Sequence, residues 1–297
     1  MITALLNVFL ALALAPLLTG VINRTKAFFG GRAGQPLMQS YYDLARLLRK
    51  GAVYSRTTTW IFRAGPLVGL AAVIISCAIV PLAGQPSLSS FPGDFLLLAY
   101  LLGLMRFFVV IAALDTGSSF EGMGASREVT FSALAEPALL LAFLALARRS
   151  GSLSLTGMLS SMGSHGVAAL WLAAAAVLIV LLAENSRVPV DDPGTHLELT
   201  MIHEVMVLDH SGPDFAFILY SSALKLWLLG AVFAGIVLPW RGGPPWLGTV
   251  RALSAMLALG VLIGVIESVM ARLRLTRIPP LLVGAGICSL LALWVIK

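Results

Sequence analysis

Two glutamates eight residues apart, Glu128 and Glu136, lie in the otherwise apolar run "EVTFSALAEPALLLAF". Eight residues is a little over two helical turns, so the two carboxyls share a face. Carboxylates stacked this way in oil can pass protons along, because burial raises their affinity for a proton. They can equally pair with cations and hold helices together. Pro137, directly after Glu136, removes a backbone donor and leaves a carbonyl for water. Further charges interrupt other greasy runs: Arg106 in "LLGLMRFFVVIAALD", Lys225 in "SSALKLWLLG" and Glu267 in "GVLIGVIESVM". An ionised side chain in mid-span costs about 2.5–3.5 kcal/mol on insertion scales. Each must therefore face protein or water, and Arg106 and Lys225 are natural counter-charges in a structural or tuning role.

A second concentration of chemistry is "AENSRVPVDDPGTHLELTMIHEVMVLDHSG", Ala183 to Gly212. From Glu184 to Asp214 it holds seven acids against one arginine, Arg187, and three of the chain's four histidines. So many carboxylates beside a membrane surface repel one another, and basic residues of the first loop or a docked partner would have to compensate. "PVDDPG" bends the chain. "THLELTMIHEVMVLD" then reads as an amphipathic helix with Leu197, Met201, Val205 and Leu208 as its apolar stripe. His196, His203 and His210 recur at intervals of seven on nearly one face. A zinc reading of His203 and Glu204 fails on spacing, since "HEVMVLDH" is not H-E-x-x-H. Histidines facing a partner or a wet pocket are the better reading, and no metal is expected in the chain.

These residues need a scaffold, and the composition indicates which. Of the 297 residues, 59% are hydrophobic and 11% charged, against about 25% charged in soluble domains. Eight runs are long enough to span a bilayer as helices: about 2–22, 62–83, 94–114, 128–147, 165–183, 215–239, 248–270 and 278–296. The expected fold class is an all-α polytopic membrane protein with short amphipathic helices in loops 1 and 5, residues 1–297 forming a single membrane domain. The first span lacks a basic leader and reads as retained. The odd-numbered loops carry thirteen lysines and arginines, the even loops with the C-terminus five. That places loops 1, 3, 5 and 7 in the cytoplasm and both termini outside. In loop 1, "SYYDLARLLRK" sets Tyr41, Leu44 and Leu48 on one face and Arg46, Arg49 and Lys50 elsewhere, as for a helix lying in the interface or against a soluble partner. The net charge of +6 is explained by such flanks; with no phosphate loop and no aromatic-plus-basic run, nucleic acid is not an expected partner. Cys77 and Cys288 lie in apolar runs, as packing residues.

Four stretches, in order, resemble one family. "GGRAGQPLMQSYYDLARLLRKG", "ALDTGSSFEGMGASRE" followed by Glu136-Pro137, the acidic loop, and "ESVMARLRL" are similar to the NADH dehydrogenase subunit 1 family of respiratory complex I. The likeness is greater to its branch in formate hydrogenlyase, hydrogenase-4 and other membrane-bound nickel–iron hydrogenases, and it covers nearly the whole chain. Two departures from the complex I pattern, Val190 in place of Phe and "LDHSG" in place of E-Y-S-G, fall in what would be the quinone chamber and favour the hydrogenase branch.

The resemblance implies eight spans and no redox centre in this chain. It also implies a prokaryotic cytoplasmic membrane beneath a peripheral arm. Partners would be hydrogenase-like large and small subunits, iron–sulfur subunits, antiporter-like membrane subunits and lipid, with the nickel–iron centre and clusters in those partners. Candidate coupling residues are Asp115, Glu121, Arg127, Glu128, Glu136, Glu184, Arg187, Asp191, Glu198 and Glu204, joined by Lys225 and Glu267. Candidate docking residues are Arg46, Arg49, Lys50, His196 and His203. The expected function is a membrane anchor linking electron transfer in partners to proton or sodium movement, with no catalysis by the isolated chain. The alternatives are a quinone-chamber subunit of a complex I-type enzyme and a free-standing secondary transporter. The even span count and the lack of an internal repeat oppose the transporter.

Overall fold

The computed structural model describes residues 2–82, 87–160, 166–191, 201–238 and 244–296. Among them eight helices are long and apolar enough to cross a membrane. They are α1 (Ile2–Phe29), α3 (Trp60–Ile79), α4 (Asp94–Asp115), α5 (Ser119–Ser150), α7 (Val167–Glu184), α8 (Gly212–Val237), α9 (Pro245–Val269) and α10 (Ile278–Val295). Two short helices, α2 (Gln39–Leu48) and α6 (Leu155–Ser160), lie in connections. The all-α polytopic fold class is as expected, but helix ends extend past the apolar runs. α5 begins at Ser119, nine residues before the expected start, and α1 runs on to Phe29. Hydropathy marks the part of a helix that lies in oil. "SFEGMGASR" and "NRTKAFF" continue the backbone hydrogen bonding beyond it, and α5 passes through Pro137 without ending.

α8 is the most enclosed helix. It packs against α1, α3, α7 and α9, with α4 and α5 completing the wall and α10 seated outside α5 and α7. The core between them is built of small and aliphatic side chains, such as Ala142, Ala176, Val177, Leu224 and Leu229. Small residues let helices approach closely where lipid supplies no hydrophobic drive.

α2 docks on α1 through Tyr41, whose hydroxyl donates to the Ala13 carbonyl at 2.5 Å, and through a Thr19–Ser40 hydroxyl contact at 2.8 Å. Its inner face is Tyr41, Leu44 and Leu47; Leu48, expected on that face, is exposed with Arg46, Arg49 and Lys50.

Loop 5 departs from the amphipathic helix read in the sequence. Glu198 and His196, with the rest of 192–200, lie outside the described residues. From Met201 onward there is one 3-10 turn, Glu204–Val207. Backbone N–H groups that a helix would use are taken elsewhere: Asp191 Oδ2 accepts from Ile202 N (3.1 Å) and His203 N (3.3 Å). Ile202, Val205 and Met206 are buried and Leu208 is exposed, so the expected stripe is broken. The loop can come this close to α5 only because residue 124 is glycine. A Cβ there would stand 2.3 Å from Val205 Cγ1 and 2.9 Å from the Ile202 carbonyl oxygen.

Candidate functional site

Arg106, in the middle of α4, is the hub. Its guanidinium donates through Nη1 to Glu136 of α5 and through Nη2 to Glu184 Oε1 at the end of α7 (2.5 Å), while Nε stands 3.2 Å from Glu128 Oε1 of α5. The planar fork of an arginine suits several carboxylates at once. Lys225 of α8 lies 3.6 Å from the second oxygen of Glu184. Glu128 and Glu136, stacked on one face of α5 as their spacing requires, therefore meet on a single cation. Glu128 is buried; the Glu136 side chain keeps 46% of its exposure.

From Glu128 the network continues outward. His203 Nε2 is 3.2 Å from Glu128 Oε2, and its Nδ1 is 3.9 Å from Asp191 Oδ2. Asp191 Oδ1 in turn meets Arg272 Nη2 at 3.0 Å. Burial opposes a charge on His203, but the Glu128 charge and the Asp191 carboxylate outweigh it, and the imidazole is pushed up to about 9. Burial alone would raise Asp191; His203 and Arg272 hold it below the usual carboxylate range. A separate triad joins the buried Glu267 of α9 to the partly exposed Lys26 of α1 (2.9 Å) and to Arg187 (3.4 Å).

Three sequence candidates hold neighbouring segments by hydrogen bonds around this network. Arg127 donates to the Met201 carbonyl (2.8 Å) and Glu121 accepts from Asp209 N (3.1 Å), both holding loop 5 on α5. Asp115 accepts from Thr59 N (2.6 Å) and its hydroxyl, at the N-terminus of α3, away from Arg106. Glu204 lines the cavity described below. His203, expected to dock a partner, is turned inward between two carboxylates. His203 and His210, expected on one face, have different neighbours. His210 stacks on Phe62, with centroids 3.9 Å apart and rings 9° from parallel, and burial pushes it down to about 4. Sequence reasoning misses Lys26 and Arg272, because a lone cation at a span's edge looks like any flanking charge. It marks Arg106 only as a counter-charge.

Two hollows meet at Arg106. A cavity of about 980 Å³ is walled by α1, α2, α4, α8 and the start of loop 5, with Lys26, Arg187, His203 and Lys225 on its surface. A smaller one of about 220 Å³ lies between α4 and α5, beside Tyr100, Gly103 and Leu140. Arg106 and Glu184 border both; Glu128 borders only the first and Glu136 only the second. Val190, Asp209 and His210 line neither. Among the described residues, no three His, Cys, Asp or Glu side chains gather as a metal site.

The sequence profile described as NADH dehydrogenase matches residues 1–296. The chain belongs to that family. Within it, the chain is 30% identical over 291 residues to formate hydrogenlyase subunit 4 of Escherichia coli, covering 95% of this chain and 94% of that protein. It is 32% identical over 245 residues to hydrogenase-4 component C of Escherichia coli, covering 80% of this chain and 75% of that protein. The H-type subunit of NADH-quinone oxidoreductase from Verminephrobacter eiseniae is 26% identical over 238 residues, with 71% and 65% covered. In fold, the chain matches a chain of the membrane-bound sulfane sulfur reductase, an archaeal respiratory membrane complex, with a TM-score of 0.81 at 23% identity over 98% of both. This family member is thus a multi-pass membrane protein, of a family of membrane subunits in hydrogenase-like and complex I-type oxidoreductases.

Proposed function

We propose that this chain is the membrane anchor and coupling subunit of a formate hydrogenlyase- or hydrogenase-4-type complex. It ties electron transfer in a peripheral arm to proton or sodium translocation. One observation carries the reading: a largely enclosed arginine held by three carboxylates stands between a cavity beside loops 1 and 5 and a lateral pocket that Glu136 lines. Such an arrangement cannot change one charge without disturbing the others. In a low-dielectric setting, neutralising any of the three carboxylates releases part of Arg106's attraction to the remaining two. An event at the cavity, where a peripheral arm would sit, is thereby felt at Glu136 without an electron entering this chain. Redox centres belong to hydrogenase-like and iron–sulfur partners, and the lateral pocket faces an antiporter-like membrane subunit. Arg46 on α2 and Arg49 and Lys50 just after it, all exposed, face the arm.

The test is Glu136→Gln in the assembled complex, reconstituted in sealed vesicles. The ratio of ions moved to electrons transferred is expected to fall to less than half the wild-type value. An unchanged ratio in a fully assembled complex removes the coupling role.

The cavity itself favours a second reading. At about 980 Å³ it lies at the top of the usual range for ligand sites, about 300–1,000 Å³, so a quinone-reducing complex I-type subunit fits its size. Quinone extracted in stoichiometric amount from the purified complex would decide for it.

A further inference from the structure

We propose that His203 is the proton-loading residue of the Arg106 network, taking its proton from water in the large cavity. The inference rests on the coupling role proposed above and adds the point at which a proton enters. Three features of the geometry carry it.

The first is the pair of neighbours. The two ring nitrogens face carboxylates on opposite sides, Glu128 at 3.2 Å and Asp191 at 3.9 Å. A neutral imidazole has one N–H and can serve only one of them; the imidazolium serves both. The second is charge balance. Among the described residues, with His203 protonated, four cations (Arg106, Lys225, Arg272 and His203) face four carboxylates (Glu128, Glu136, Glu184 and Asp191) in one connected set. Without that proton these eight side chains together carry one negative charge more than positive. The third is access. The His203 side chain borders the cavity and keeps 23% of its exposure through its carbon atoms, whereas Glu128 and Glu184 are almost closed off; both ring nitrogens lie enclosed just behind that edge, so a turn of the ring is what brings them to the water.

His203 is also placed rather than free. Its own N–H donates to Asp191, and Arg127 holds the carbonyl two residues before it. The charged groups facing it are Glu128 from α5, Asp191 from loop 5 and Lys225 from α8, with Arg106, Glu184 and Arg272 in the next rank.

The step follows from this wiring. When the ring turns toward the cavity and the Nδ1–H or Nε2–H bond of the imidazolium breaks, the proton leaves to a cavity water and Glu128 loses one of its two close cations. Arg106 then serves Glu128 more fully and Glu136 less. Glu136 becomes the under-compensated carboxylate and forms an O–H bond with a proton from water in the lateral pocket. Reloading His203 reverses both changes. One proton is released on one side for each one bound on the other, and no redox partner is needed within this chain.

The experiment uses the assembled complex in vesicles and reads ions per electron as a function of pH. In the wild type the ratio is expected to decline as pH rises through about 9. His203→Gln lowers the ratio to less than half at neutral pH and abolishes that pH step. His203→Lys keeps the positive charge but not its exchange, and gives the same loss. Asp191→Asn, which removes one of the two facing charges, moves the step about one to two units lower. A His203→Gln complex with the wild-type ratio and step overturns the proposal; if Glu136→Gln is uncoupled in the same assay, the broader coupling role survives it. If neither variant lowers the ratio, the coupling role itself fails. Should both His203 variants fail to assemble, the wild-type and Asp191→Asn profiles still decide, since a flat wild-type profile or an unmoved Asp191→Asn step overturns the proposal.

Discussion

Arg106 and Glu136 form one ion pair, yet their removal has different consequences. Arg106 touches three carboxylates, two of them almost fully enclosed. Arg106→Gln strands those charges in a low-dielectric interior, and breaking a buried pair from one side costs about 3–5 kcal/mol. The expected outcome is loss of assembled complex, seen as a large drop in purified yield and in the unfolding midpoint in detergent. Glu136→Gln removes the most exposed of the three carboxylates and leaves Arg106 two partners, so the complex should still assemble. Equal yields for the two variants would show that Arg106 is not the hub. The stacking of Glu128 and Glu136 was legible in the sequence, because an interval of eight fixes a face whatever surrounds it. The hub was not: a lone arginine in a span reads the same whether it serves one carboxylate or three. Asp115 was equally opaque, since its use as a fastener for Thr59 depends on α3 and α4 lying side by side.

At the scale of elements, the site depends on how tightly loop 5 sits on α5. Helix periodicity suggests an amphipathic helix there, but tertiary hydrogen bonds from Asp191, Glu121 and Arg127 outcompete it. Periodicity reports which side chains are apolar; it does not report that a carboxylate eleven residues upstream will take the backbone N–H of Ile202. Gly124 was visible in the sequence as part of "EGMGAS", yet its importance appears only once Val205 lies against it. Gly124→Ala places a methyl 2.3 Å from Val205 Cγ1, and one excess carbon in a packed contact costs about 1–3 kcal/mol. The loop would have to lift, carrying His203 away from Glu128. Limited proteolysis of the assembled complex should cut loop 5 faster in this variant. Cleavage at the wild-type rate would mean the seat is looser than these distances require.

Over the whole molecule, the odd-numbered connections gather at one end. Val53 of loop 1 bonds to Ser211 of loop 5, Thr59 to Asp115 of loop 3, and Arg272 of loop 7 to Asp191. The eight spans were countable in advance, because bilayer thickness fixes the length of an apolar helix. How loop 5 would be neutralised was not. Among the described residues, Arg272 meets Asp191, Arg106 and Lys225 meet Glu184, and Arg127 holds the backbone at Met201. Arg46, Arg49 and Lys50 make no ion pair among the described residues and stand exposed at the end of α2 and just beyond it. A bias of thirteen basic residues to five leads to the expectation that this end is cytoplasmic, because lysine and arginine resist translocation. The orientation can be tested with single cysteines in a background lacking Cys77 and Cys288. Arg49→Cys should react with a membrane-impermeant maleimide only from the cytoplasmic face, and more slowly once the peripheral arm is bound. Leu153→Cys, in the exposed turn after α5, should react only from the opposite face. The reverse pattern would invert the topology and put the cavity, and any arm docked over it, on the wrong side of the membrane for the coupling proposed.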